Sequence, residues 1–438
     1  MVTADVLVVG TGAAGLFAAL SLPEQYRVLA ITKSKADEAD SFLAQGGMCM
    51  LLDDEDYDSY FEDTMRAGHY ENNKESVDIM LRYSQHIVEQ LVAYGVDFQR
   101  DENGHFVFTR EGAHSENRIL FHEDLTGREI TGKLLARAQE RDNITILEDT
   151  TMVDILCDKE TNVCRGAVVR KPDGSYEEVR AHAVVLCTGG LGGVFQFSTN
   201  FPHIAGDSLA IAMRHGLEIE NINYIQIHPT TLYTNKPGRR FLISESVRGE
   251  GARLYNKAGE RFVDELLPRD VVSEAICKQM KLDKRPYVEL DISHLDSEFI
   301  KKRFPNIYNR CLEEGIDMTK EGIPVTPGQH YFMGGIKVNS DSKTSMEGLY
   351  ACGETSCNGV HGRNRLASNS LLESLVFAER AAHHIAENAD MSKPLEADEI
   401  PFRPEDYADI DERNRNEVLQ AIKRKDAKFY EQWLRDDS

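Results

Sequence analysis

The opening run ADVLVVGTGAAG, residues 4–15, constrains the fold of this chain more than any other stretch. Residues 4–9 are almost continuously apolar, the pattern of a parallel strand buried on both faces. They lead straight into Gly10, Gly12 and Gly15, and an apolar helix follows over residues 13–22. Glycines at this spacing allow a tight strand-to-helix turn and close approach of backbone amides to a pyrophosphate at the helix N-terminus. Alone, the spacing also suits a plain structural turn; the flanking strand and helix favour dinucleotide binding. A second strand over 27–32 ends in Thr32 and Lys33, where a nicotinamide-binding fold would place a ribose-binding acid. That departure counts against a nicotinamide cofactor more than against a flavin.

The strand-to-glycine transition recurs. Residues 183–188 form a buried strand entering Gly189, Gly190, Gly192 and Gly193, as expected where a parallel strand ends against a bound dinucleotide. Residues 348–373, GLYACGETSCNGVHGRNRLASNSLLE, bring a short apolar strand to Gly353 and Glu354, an acid suited to a ribose. In the same stretch His361, Arg363 and Arg365 stand just before Ser368, Asn369 and Ser370 at a helix start. Fixed positive charge there meets unsatisfied helix amides, which together make an anion site. Cofactor and substrate are expected to meet at this stretch.

Composition narrows the class. A chain of 438 residues with 41% hydrophobic content exceeds one core and implies two or three domains. Fifty basic residues against 73 acidic give a net charge of −23, which argues against nucleic acid or an anionic membrane as main partner. The N-terminus lacks a basic leader region, and no apolar run approaches the roughly 18 residues of a membrane span. A cytoplasmic protein is expected. The eight cysteines are scattered without a CxxC pair, as reduced thiols would be, and Cys352 and Cys357, though close, suggest no metal site.

Between these landmarks, SFLAQGGM (41–48) reads equally as an ordinary glycine turn or as backbone approaching a flat ring. Residues 57–97 show helical spacing and read as a surface helix pair. In TREGAHSENR (109–118), Glu111 reads from the residues alone as a solvated loop charge rather than a functional acid. Residues 143–179 suggest a small appended sheet. Residues 222–331 are denser in charge and proline and read as an inserted domain, with clusters QIHPTTLY, SESVRGEG and PRDVVSEAI. Pro268 is a good helix opener, so Arg269 falls in a first turn, where the helix dipole disfavours it and some other reason must hold it. His330, in GQHYFMGG, alone reads as a satisfied core histidine. Residues 409–438 suggest one amphipathic helix carrying the only tryptophan, Trp433.

Taken in order, GTGAAG, AQGG, TREGAHS, TGG, QIHPTTLY, SESVRGEGA, PRDVV, HYFMGG, GLYACGE and HGRNRLASNSLLE resemble the succinate dehydrogenase and fumarate reductase flavoprotein family from about residue 4 to 387. The resemblance implies an α/β fold: a Rossmann-like FAD-binding domain (1–221 and 332–400), an inserted α+β capping domain (222–331), and a short helical C-terminal segment (401–438). Relatives commonly continue as a C-terminal bundle of small-domain size, so a reduced tail is expected. By position, Gly10, Gly12, Ala13, Ala14, Gly15, Thr32, Lys33, Ser41, Ala44, Gln45, Gly46 and Gly47 would hold FAD. Thr188, Gly189, Gly190, Asp207, Gly353, Glu354, Asn369, Ser370, Leu371 and Leu372 would complete that set.

Three positions indicate the branch. Many relatives carry a flavin-linking histidine where this chain has Asp40, so noncovalent FAD is implied. Members acting on succinate typically have Gln at the position of Glu111; an acid there would pair with an ammonium that succinate lacks. The ASNSLLE form of residues 367–373 matches the branch that oxidises L-aspartate. The resemblance then assigns Arg365 and His330 to one substrate carboxylate, and His228 and Ser244 to the other. Arg269 matches the proton-transfer arginine; with an intrinsic pKa above about 12 it would act in a relay with Glu245 and Arg248. The implied reaction takes L-aspartate to iminoaspartate, with fumarate or O2 as acceptor and handover to quinolinate synthase in NAD biosynthesis. Succinate/fumarate turnover, or flavin binding without dicarboxylate turnover, are the alternatives. Position 363 is usually small in the family, so Arg363 has no assigned role.

Overall fold

The computed structural model describes residues 2–158, 161–392, 395 and 402–434. Its centre is a five-stranded sheet in the order Leu349–Ala351, Ala183–Leu186, Val6–Val9, Val28–Ile31, Ile144–Leu147, every neighbouring pair parallel. All four residues of Val6–Val9 are buried, and the helix Ala13–Ser21 follows directly. Chain order reverses between Val6–Val9 and Ala183–Leu186, so a crevice opens at the carboxyl ends of these strands.

The apolar pattern over 143–179 divides differently from the expected single appended sheet. Ile144–Leu147 completes the parallel sheet by pairing with Val28–Ile31. Only Thr151–Asp158, Val163–Arg170 and Tyr176–Arg180 form the antiparallel layer, joined by Val2–Thr3. The helices Tyr57–Ala67 and Lys74–Ala93 are more than a surface pair: Tyr60, Asp63 and Thr64 of the first and Met80, Leu81 and Ile87 of the second are buried. Lys74–Ala93 packs on the long helix Asn369–Asn388.

A separate antiparallel sheet, ordered Ile225–Leu232, Ile323–Phe332, Val288–Asp291, Arg253–Tyr255, has its own apolar core between residues 232 and 325. The helix Arg269–Asp283 crosses it, preceded by Pro268. The C-terminal segment is two helices rather than one, Ile410–Lys425 and Ala427–Trp433. The break falls at Asp426, whose carboxylate accepts from Phe429 N at 2.9 Å and caps the second helix. Val418 and Ile422, with Phe429 and Trp433, join the core beneath the parallel sheet. The expected boundary at 400/401 lies outside the described residues.

Candidate active site

The crevice continues into a cleft with about 1690 Å3 of empty space, its mouth included. At its floor Gly10 has φ +114°, and a Cβ there would lie 2.1 Å from Cys187 O on the neighbouring strand. Only glycine lets the two strand tips approach so closely. Ser41 Oγ accepts from Ala13 N at 3.0 Å at the helix start. Farther along, Lys33 Nζ donates to Asp207 Oδ2 at 2.8 Å.

Glu354 is partly buried and its carboxyl is enclosed: Oε1 accepts from Phe332 N at 2.8 Å, and burial pushes its pKa up to about 8. Gln45 Oε1 and Asp40 Oδ2 are buried without a hydrogen-bond partner among the described residues. The glycine floor, the helix start that lines the cleft and these unpartnered polar atoms fit FAD. Gly12, Ala14, Thr32, Ala44, Gly46, Gly47, Thr188, Gly189, Gly353, Ser370 and Leu371 also line the cleft. Gly15, Gly190, Asn369 and Leu372 stand behind its wall. A Cβ at Gly15 would meet Gly10 O at 2.0 Å, and one at Gly190 would meet Glu354 Oε1 at 2.4 Å, so both serve close packing. Asn369 turns inward, accepting from Tyr60 Oη at 2.8 Å and donating to Thr64 Oγ1 at 3.1 Å.

The polar end of the cleft gathers Glu111, Ser244, Glu245, Arg269, His330 and Arg365 from segments far apart in sequence. Arg269 opens its helix with Nε on Glu245 Oε2 at 2.5 Å and Nη1 on Gln226 Oε1 at 2.8 Å. This buried pairing is what holds an arginine against the helix dipole. Arg365 Nε also reaches Gln226 Oε1, at 3.3 Å, its Nη1 donates to Ser370 Oγ at 2.5 Å, and its guanidinium lies 4.3 Å from the centre of the Tyr331 ring. One amide oxygen therefore spaces the two guanidiniums. Burial, then the neighbouring Arg269, lowers the Arg365 pKa to about 10, which still leaves it charged at neutral pH.

Arg248 Nη2 sits 3.3 Å from the same Glu245 oxygen that Arg269 uses, although Arg248 itself is behind the cleft wall. Burial alone would raise the Glu245 pKa, but Arg248 and Arg269 hold it below the ordinary carboxylate value. His330 Nδ1 is 2.7 Å from Thr199 Oγ1, and burial followed by Arg269 and Arg365 keeps the imidazole neutral. His228 is fully buried behind His330, the ring centroids 5.1 Å apart. Its Nδ1 accepts from Thr230 N at 3.1 Å, which places the hydrogen on Nε2, an atom without a partner among the described residues.

Glu111 is no solvated loop charge: it is 3% exposed, and its carboxylate accepts from Ser246 Oγ at 2.7 Å and Ser368 Oγ at 2.6 Å. Its loop is pinned from below by Arg118, buried between Asp56 and Asp63 at 2.7 Å each. Gln226, Ser246 and Tyr331 carry this geometry, yet sequence reading assigned none of them a role, and Ser368 was read only as part of a helix start. Gln226 and Ser246 stand inside quoted clusters, and that was their only signal.

A dinucleotide crevice of this kind, closed at one end by paired arginines and carboxylates, defines an FAD-dependent flavoprotein of dicarboxylate type. The FAD binding domain family matches residues 5–371. Solved structures with the same fold include a quinol fumarate reductase chain from E. coli, with a TM-score of 0.83 at 30% identity, covering 97% of this chain and 75% of that one. A Mycobacterium smegmatis Sdh1 structure in complex with UQ1 gives 0.75 at 33% identity, covering 88% and 68%. Within this class the chain belongs to the L-aspartate oxidase family. It is 53% identical to the L-aspartate oxidase of Clostridium perfringens over 383 residues, 87% of this chain and 86% of that protein. Against the one from Clostridium acetobutylicum the identity is 48% over 416 residues, 95% of each chain.

Proposed function

We propose that this protein oxidises L-aspartate to iminoaspartate with FAD, electrons passing on to fumarate or O2, as the first step of NAD biosynthesis. The observation that carries this reading is the Glu111 carboxylate in the same enclosed cleft as Arg269 and Arg365. Three guanidiniums, with Arg248, against the two carboxylates Glu111 and Glu245 leave a net positive site suited to a dicarboxylate, with one acidic group available to an ammonium. Arg365 and His330 hold one substrate carboxylate; Ser244, backed by His228, holds the other.

FAD, when bound, supplies the two-electron acceptor for the hydride that leaves the substrate Cα. The side chains hold that carbon in one orientation, and such positioning is the protein's main contribution. Oxidation also releases protons from the substrate ammonium. Arg269, sharing Glu245 Oε2 with Arg248, is placed to pass a proton between the cleft and that buried carboxylate. In this assignment residues 222–331 cap an FAD domain formed by 1–221 and 332–400. The imine product is prone to hydrolysis, which favours handover to quinolinate synthase. Among the described residues no helix is long and apolar enough to cross a membrane.

Succinate oxidation with fumarate reduction is the competing reading, since the solved relatives include fumarate reductases. Anaerobic addition of L-aspartate is expected to bleach the yellow protein, and succinate is not. Faster bleaching by succinate would reverse the assignment.

A further inference from the structure

Glu111 lines the same cleft as Arg269 and Arg365, yet among the described residues it is bonded to neither. Both of its oxygens accept from neutral hydroxyls, Ser246 Oγ on Oε1 and Ser368 Oγ on Oε2. Ser246 lies in the short helix Glu245–Gly249 of the antiparallel-sheet body. Ser368 lies on the opposite side, at φ +63° immediately before the helix Asn369–Asn388. Each hydroxyl has one hydrogen. With that of Ser246 committed to Glu111, its 3.0 Å contact to Ser244 Oγ is made by the Ser244 hydrogen, so a directed chain runs Ser244 to Ser246 to Glu111. A Cβ on Gly46 would fall 2.4 Å from Glu111 Oε1, so the carboxylate is also fitted against backbone.

We infer that Ser246 and Ser368 are positioning residues that set the preference of the cleft for an amino-dicarboxylate over the same acid without its amine. This rests on the assignment of the cleft to L-aspartate. A glutamate free to rotate beside Arg269 and Arg365 would pair with a guanidinium. That would consume the charge meant for the ammonium and one of the charges meant for the substrate carboxylates. Hydroxyl donors hold the carboxylate without neutralising it. A carboxylate has about four lone-pair sites, and two hydroxyls leave one on each oxygen for the incoming N–H groups.

The test compares Ser246→Ala, Ser368→Ala and Ser246→Thr with wild type, each purified with its flavin. Rapid-mixing measurements of anaerobic bleaching give the half-saturating L-aspartate concentration, and flavin spectral titration gives succinate affinity. Each alanine variant is expected to need roughly ten- to a hundredfold more L-aspartate, with succinate affinity unchanged, while Ser246→Thr restores the wild-type value. Parallel weakening of both ligands, or no change in either, overturns the inference. Should Ser368→Ala at its left-handed position fail to retain flavin, Ser246→Ala alone decides. Wild-type protein that L-aspartate cannot bleach overturns the functional reading itself; bleaching that the alanine variants match overturns only the role of the serines.

Discussion

Asn414, on the C-terminal helix Ile410–Lys425, donates from Nδ2 to Asp207 Oδ1 at 3.1 Å, while the other oxygen of Asp207 accepts from Lys33. The tail thus reaches a residue lining the cofactor cleft through a buried amide, and Arg415 fastens the same helix to the carbonyls of Gly193 and Val194 at 2.7 and 3.0 Å. Removing one partner of a buried hydrogen bond costs about 1–3 kcal/mol. Asn414→Ala is therefore expected to weaken FAD binding several-fold, measured by flavin fluorescence titration, with turnover at saturating FAD preserved. Unchanged FAD affinity would make the tail a passive layer.

Arg269 bonds Glu245 Oε2 and Gln226 Oε1 at the polar end of the cleft. Arg269→Leu keeps the apolar bulk at the head of its helix but removes the shared contact to Glu245 and Gln226. FAD content should be retained, and L-aspartate turnover should fall by about 10²–10⁴, the range for loss of a proton-transfer group. Wild-type-like turnover would remove Arg269 from the mechanism.

Asp40 gives a pH signature in the flavin-free protein. Its Oδ1 accepts from Phe201 N at 2.8 Å, and burial pushes its pKa up to about 7 from the ordinary 3.8. A carboxyl raised in the folded state binds its proton more tightly there than in the unfolded chain. Its contribution is complete below about pH 4 and is lost as pH rises through about 7. Thermal unfolding of flavin-free protein should thus show stability falling from about pH 4 to about pH 8, the upper end set by Glu354, whose pKa burial pushes up to about 8. Asp40→Asn, which stays neutral, should flatten that fall, leaving the share due to Glu354.

Denaturation offers a direct check on cofactor attachment. With Asp40 in place of the linking histidine of covalent relatives, acid precipitation should leave a colourless pellet and all flavin in the supernatant. Yellow colour retained by the pellet would show a covalent bond made by another side chain.

The three strand-to-glycine transitions were legible because each joins a continuous apolar run to glycines that local sterics require. Gly10 is a case in which the neighbouring strand's carbonyl leaves no space for a side chain. The strand Ile144–Leu147 was harder to place: a short run such as ITIL looks the same in a parallel sheet as in an antiparallel one, and only its partner Val28–Ile31 decides. The break at Asp426 was hidden because apolar spacing continues across it. Glu111 shows the limit most clearly. Its two donors are 135 and 257 residues away, so from its own neighbours it looked like a loop charge, and only the family resemblance pointed to the site. Gln226 likewise gained a role only when two distant arginines converged on its oxygen.

The carboxylate of Glu111 is also a rivet between two separately packed cores. Its loop is pinned by Arg118 to the flavin side, where Ser368 also sits, whereas Ser246 belongs to the other body. If the bodies part, the Ser246 leg lets go first and the carboxylate is left half-held. On the proposed reading, the amine would meet a fully held carboxylate only while the two cores stay in contact.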